Sequence, residues 1–133
     1  MTKLSNAIFL TFVALSLAGC APSGFTRFDA DQTRDDRLPR EIVETIELGD
    51  FDLSTSRWAG SYRGVDFYVL QPSEGTGPCV AIADGAASSI ACGAGGRVEV
   101  TTAGGVDVRL VPEYEPAARG WTAVGDNVRV RGE

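Results

Sequence analysis

Three cysteines, a spread of carboxylates and five tryptophan or tyrosine side chains carry most of the chemistry this 133-residue chain can offer, and histidine is not among its residues. Without histidine the usual general base near neutral pH and the commonest metal ligand are gone. A Ser-His-Asp triad is therefore excluded, and Gly60-Ser61-Tyr62-Arg63-Gly64 departs from the GxSxG nucleophile elbow. Paired carboxylates can still cleave a glycosidic bond, and Asp107, Glu113 and Glu115 are the candidates for such a pair. In so acidic a chain, solvated surface acids are the more ordinary reading, and no catalytic residue is assigned. Trp58, Tyr68 and Trp121, with Tyr62 and Tyr114, form a binding platform for sugar or peptide if several face outward, and otherwise complete a small core.

Two further patterns fail on inspection. Asp50, Asp52 and Ser54 sit at the first ligand positions of a calcium loop, but Thr55 stands where glycine is needed and Ser61 where a bidentate glutamate belongs. Gly93-Ala94-Gly95-Gly96 follows one strand and precedes another, so no helix N-terminus is available to hold a phosphate, and the segment reads as a turn. No metal and no cofactor are expected. The net charge of −6, with Lys3 the only lysine and the arginines scattered among acids, supplies no basic stripe, and nucleic acid is not expected as a partner.

The remaining cysteine chemistry lies near the start of the chain. Lys3 precedes an apolar run over residues 7–17, the layout of an export signal and too short for a transmembrane helix. Leu17-Ala18-Gly19-Cys20 resembles the lipobox of bacterial lipoproteins. That resemblance implies a signal peptide over residues 1–19, cleavage between Gly19 and Cys20, and acylation of the Cys20 thiol. Two acyl chains on one residue meet the two-signal requirement for stable anchoring. The implied location is the extracytoplasmic side of the cell membrane. Ala21, in place of a retaining aspartate, leaves the outer membrane open for a Gram-negative host. Arginine in place of lysine, with the export signal and a cysteine pair, is similar to small actinobacterial lipoproteins.

Residues 20–37 comprise the lipidated cysteine and a polar stretch without hydrophobic period, expected as a flexible tether spanning about 20 to 25 Å, in which Phe25 and Phe28 either dock on the domain, dip into the membrane interface or mark a partly ordered linker. Residues 38–133 form one small domain. Leu38, Ile42 and Ile46 recur every four residues between Pro39 and Gly49, which predicts one short amphipathic helix over 38–48. Beyond Gly49 the period becomes two, and the expected fold is mainly β, a small antiparallel sandwich or open barrel. A first hairpin is expected over 55–62 and 65–71 about Arg63-Gly64, with Val65, Phe67 and Val69 on one face and Asp66 and Tyr68 on the other. A second pairs 78–83 with 88–92 and sets Cys79 opposite Cys92; as the even pair in an oxidising compartment, they predict a disulfide. A third sets Val98 against Leu110 and Val100 against Val108. The last strand, with Val128 and Val130 alternating with Arg129 and Arg131, reads as half exposed.

The expected function is that of a membrane-anchored, non-catalytic envelope module that binds an envelope protein or a cell-wall component, or stabilises a membrane complex. The competing expectation is a small histidine-free cell-wall glycan hydrolase, which needs two carboxylates converging in a cleft.

Overall fold

The period-two pattern beyond residue 50 folds into eight strands. The computed structural model describes residues 24–46, 49–75, 77–93 and 97–132. The strands are β1 (Phe51–Tyr62), β2 (Val65–Pro72), β3 (Cys79–Ala83), β4 (Ser89–Cys92), β5 (Val98–Thr101), β6 (Asp107–Leu110), β7 (Thr122–Val124) and β8 (Val128–Arg131). They form two four-stranded antiparallel sheets, ordered β1-β2-β3-β4 and β5-β6-β8-β7. Neither sheet closes on itself, so the architecture is a sandwich and not a barrel. The signal peptide and the acylated Cys20 expected from the sequence lie outside the described residues, as do Ala94, Gly95 and Gly96.

The expected hairpins are present. Arg63 and Gly64 have φ of 51° and 78°, which makes the two-residue turn type I′ and fixes Tyr62 against Val65. Val98 pairs with Leu110 and Val100 with Val108. Val98, Val108 and Leu110 are buried, and each such side chain contributes about 1.5 to 3 kcal/mol by leaving water. A one-residue slip would turn these apolar side chains outward together, which is why the register is strongly specified.

Phe67, Val69, Val80 and Ile82 of the first sheet pack against Val108, Leu110, Val128 and Val130 of the second, forming the core between the sheets. The outer face of the first sheet carries a second cluster, with Tyr68, Leu70, Cys79 and Ala81 packed under Ile42, Leu38 and Ile46. The apolar spacing of 38–46 is therefore used as expected, but the helix itself is a single turn, α1 (Arg40–Val43). Leu48, the expected end of that helix, lies outside the described residues.

Two expectations are corrected. The last strand is not half exposed: β8 runs between β6 and β7, so its position in the sheet buries Val128, Arg129 and Val130 and leaves Arg131 exposed. Arg129 is accommodated because its guanidinium donates to the carbonyls of Glu115, Gly125, Asp126 and Val128. Residues 24–37, expected as tether, lie against the sandwich. Phe25 is only 2% exposed within the core, and Asn127 donates its side-chain amide to the Gly24 carbonyl at 2.9 Å. The reason lies in β1, whose pairing with β2 is interrupted between Asp52 and Arg57. That irregularity releases the carbonyls of Leu53 and Ser56, which the Gln32 amide takes up at 2.9 and 3.2 Å. Buried Arg57 in turn donates to the Ala30 carbonyl at 2.6 Å. Buried backbone groups need partners, and here the polar residues of 24–37 supply them.

Candidate functional site

A second irregularity in β1 builds the site. From the turn outward, Tyr62, Ser61 and Gly60 pair in step with Val65, Asp66 and Phe67, but the next pair is Trp58 with Tyr68. Ala59 is the extra residue of a β-bulge, and it points into the core with 1% exposure. Gly60 sits at φ 145° beside Val124, where a Cβ would come within 2.7 Å of the valine side chain, so glycine is required there. The bulge reverses the alternation beyond it and turns Trp58 to the outer face, directly opposite Tyr68. Trp58 is 40% exposed, the less exposed of the two large aromatics left open to solvent among the described residues, Tyr114 being the other.

Around this pair lies a shallow depression of about 430 Å³ lined by Arg34, Asp35, Arg37, Trp58, Asp66 and Tyr68. Three of these come from the segment expected to be a tether, and three from the first hairpin. Asp66 accepts the indole N–H of Trp58 at 3.1 Å on Oδ1, and the Ser61 hydroxyl on the same atom. This fixes the indole and leaves Oδ2 without a hydrogen-bond donor among the described residues. Tyr68 is 6% exposed, yet its hydroxyl has no hydrogen-bond partner among the described residues and opens onto the depression. Burial, then the nearby carboxylates of Asp66, Glu41, Asp35 and Asp36, push the phenol above its usual pKa, so it keeps its proton. Arg34 and Arg37 form no ion pair among the described residues.

Behind the depression, Asp36 ties the segment to the site. Its Oδ1 accepts the Trp58 backbone N–H at 3.0 Å, and its Oδ2 accepts the Thr33 N–H and hydroxyl at 2.8 and 2.9 Å. Burial by itself raises its pKa, but these hydrogen bonds and the charge of Arg57 outweigh it and hold the carboxyl below its ordinary value of 3.8. A lowered folded-state pKa gives stability that is present above the unfolded value and is lost as pH falls through the folded one. Thermal melts recorded from pH 7 downward should hold level until near pH 4 and then drop. Asp36→Asn should be less stable at pH 7 and should flatten that acid limb, and a variant with an unchanged limb would remove Asp36 from this role.

The structure separates the third aromatic. Trp121 lies on the outer face of the second sheet, with the guanidiniums of Arg109 and Arg131 at 4.1 and 4.5 Å from its ring centroid. Arg109 pairs with Glu99 at 3.0 Å and Arg131 with Asp107 at 2.8 Å, so Trp121 belongs to a surface charge network. Each candidate acid has a partner of its own: Asp107 is bound to Arg131 and Thr101, Glu113 accepts the Thr26 hydroxyl, and Glu115 pairs with Arg97. The hydrogen bond from Arg131, then that from Thr101, hold the Asp107 pKa below its ordinary value, which is the opposite of what a general acid needs. Asp52 spends one oxygen on the Ser54 N–H and hydroxyl of its own turn.

Cys79 and Cys92 form a disulfide, with Cα atoms 4.2 Å apart across directly paired positions of β3 and β4. Sequence reasoning selected Trp58 and Tyr68 but missed Asp66, Arg34, Asp35 and Arg37 as their company. Glycine in the strand at position 60 was the available sign of a bulge. The chain matches no known family profile, no curated protein and no solved structure.

Proposed function

We propose that this chain is an extracytoplasmic lipoprotein, held at a membrane surface through Cys20, whose β-sandwich acts as a non-catalytic binding module for an envelope protein or cell-wall component. The lipobox pattern supports the anchor. The observation that carries the binding role is the juxtaposition of Trp58, Tyr68 and Asp66 beside Arg34 and Arg37, which form no ion pair among the described residues, with a phenol hydroxyl that has no hydrogen-bond partner among them left for a ligand. The anchor also constrains orientation. With 24–37 laid against the sheets, only residues 21–23 separate Cys20 from Gly24, a reach of roughly 14 Å at full extension. Gly24 packs against Pro112 and Tyr114, and Tyr114 is 70% exposed, so this reading puts that end of the sandwich at the headgroups.

In-cell crosslinking of the full chain, with Cys20→Ala as the unanchored control, tests the proposal. Acyl labelling that depends on Cys20 is expected, together with a crosslinked envelope component lost in the control. Release of the wild-type chain into the soluble fraction would overturn the anchor, and a reaction product that forms only with intact protein would overturn the non-catalytic role.

A further inference from the structure

We infer that the Trp58–Tyr68 depression is a binding site for a neutral, hydroxyl-rich sugar ring, an inference that rests on the binding-module reading and names its ligand. Charge selects the class first. The lining holds two arginines and two aspartates, so a fully anionic ligand meets Asp35 and Asp66, and a cation meets Arg34 and Arg37. A neutral molecule with both donors and acceptors meets no such penalty. The groups present match a pyranose in kind: a part-exposed indole for its C–H surface, and polar side chains beside it for its hydroxyls.

The polar groups are also in the right state. The Tyr68 hydroxyl has no partner of its own among the described residues and is open to the depression. Asp66 Oδ2 accepts no hydrogen bond among the described residues, while Oδ1 holds the indole in place. Arg34 and Arg37, also in the lining, carry guanidinium donors. A peptide fits less well, because the usual way for an extended chain to join a sheet is along an open edge. Along the free side of β1 that edge is already met by Gln32 and Asp36.

The test is calorimetric titration of the full chain in detergent micelles with the neutral tetrasaccharides of N-acetylglucosamine and of glucose, set beside tetragalacturonate, choline and an alanine-rich peptide. A neutral tetrasaccharide should bind weakly and the other three should not. Trp58→Ala should abolish the heat, and Tyr68→Phe, which keeps the ring and removes only the hydroxyl, should weaken binding about tenfold. Trp121→Phe should leave it unchanged, and thermal melts of each variant separate lost binding from lost folding. Silence with every neutral sugar, preference for the anionic or cationic probe or the peptide, or full binding by folded Trp58→Ala would each overturn the inference. Silence here with a Cys20-dependent crosslinked protein partner would remove the sugar and leave the binding module standing.

Discussion

Phe25→Ala is expected to cost about 3 to 5 kcal/mol, a large share of the roughly 5 to 15 kcal/mol that keeps a domain of this size folded. The side chain is 2% exposed, stacks with Phe28 at a centroid separation of 6.3 Å, and reaches the core between the two sheets. Its loss leaves a cavity that the surrounding strands, held by their ladders, can fill only in part. A phenylalanine in a solvated tether would cost almost nothing, so the same substitution decides between the two descriptions of residues 24–37. Urea unfolding of wild type and variant measures the difference. Limited trypsin digestion gives a second readout, because Arg27, Arg34 and Arg37 should resist cleavage in the wild type and become sensitive in the variant. A cost below about 1 kcal/mol with unchanged digestion would return the segment to a tether.

The hairpins were legible because their signals are local. An Arg-Gly turn flanked by alternating apolar residues sets its own register, and the valines of β5 and β6 permit one pairing in which all their apolar side chains face inward. The disulfide followed from the same logic, since a hairpin about Asp84 to Ala87 places Cys79 across from Cys92, the pairing observed.

What was not legible depends on distant partners. Composition identifies residues 24–37 as polar, but polarity does not reveal that Gln32, Ala30 and Asp36 meet an irregular stretch of β1 some twenty residues further on. The position of β8 between β6 and β7 is a matter of strand order, which alternation along one strand cannot report. Trp58 is the clearest case. Straight pairing from the Arg63-Gly64 turn places it opposite Val69, on the core side, whereas the bulge at Ala59 turns it outward beside Tyr68. One inserted residue thus decides whether the indole belongs to the core or to the outer face.

Reduction of the Cys79–Cys92 bond should lower stability by about 3 kcal/mol and the melting temperature by roughly 10 to 20 °C. The bond closes a loop spanning a sequence separation of 13, and the chain-entropy account assigns its effect to the freedom regained by the unfolded chain. Folded-state packing adds to this. Cys79 is fully buried against Tyr68, Leu70 and Ala81, while Cys92 lies on the edge strand β4, so the bond fastens an edge to the cluster beneath the candidate site. Alanine at both positions is the cleaner variant, because serine at 79 would bury a hydroxyl at a further cost of about 1 to 3 kcal/mol. Cys92→Ala alone should cost nearly as much as the double variant, since either change removes the one bond, and the two effects should therefore fail to add. Reductant should lower the wild-type melt to that of the double variant and leave the double variant where it was. A wild-type melt indifferent to reductant would mean that the β3–β4 ladder and the apolar cluster hold the edge strand without help from the sulfur bridge.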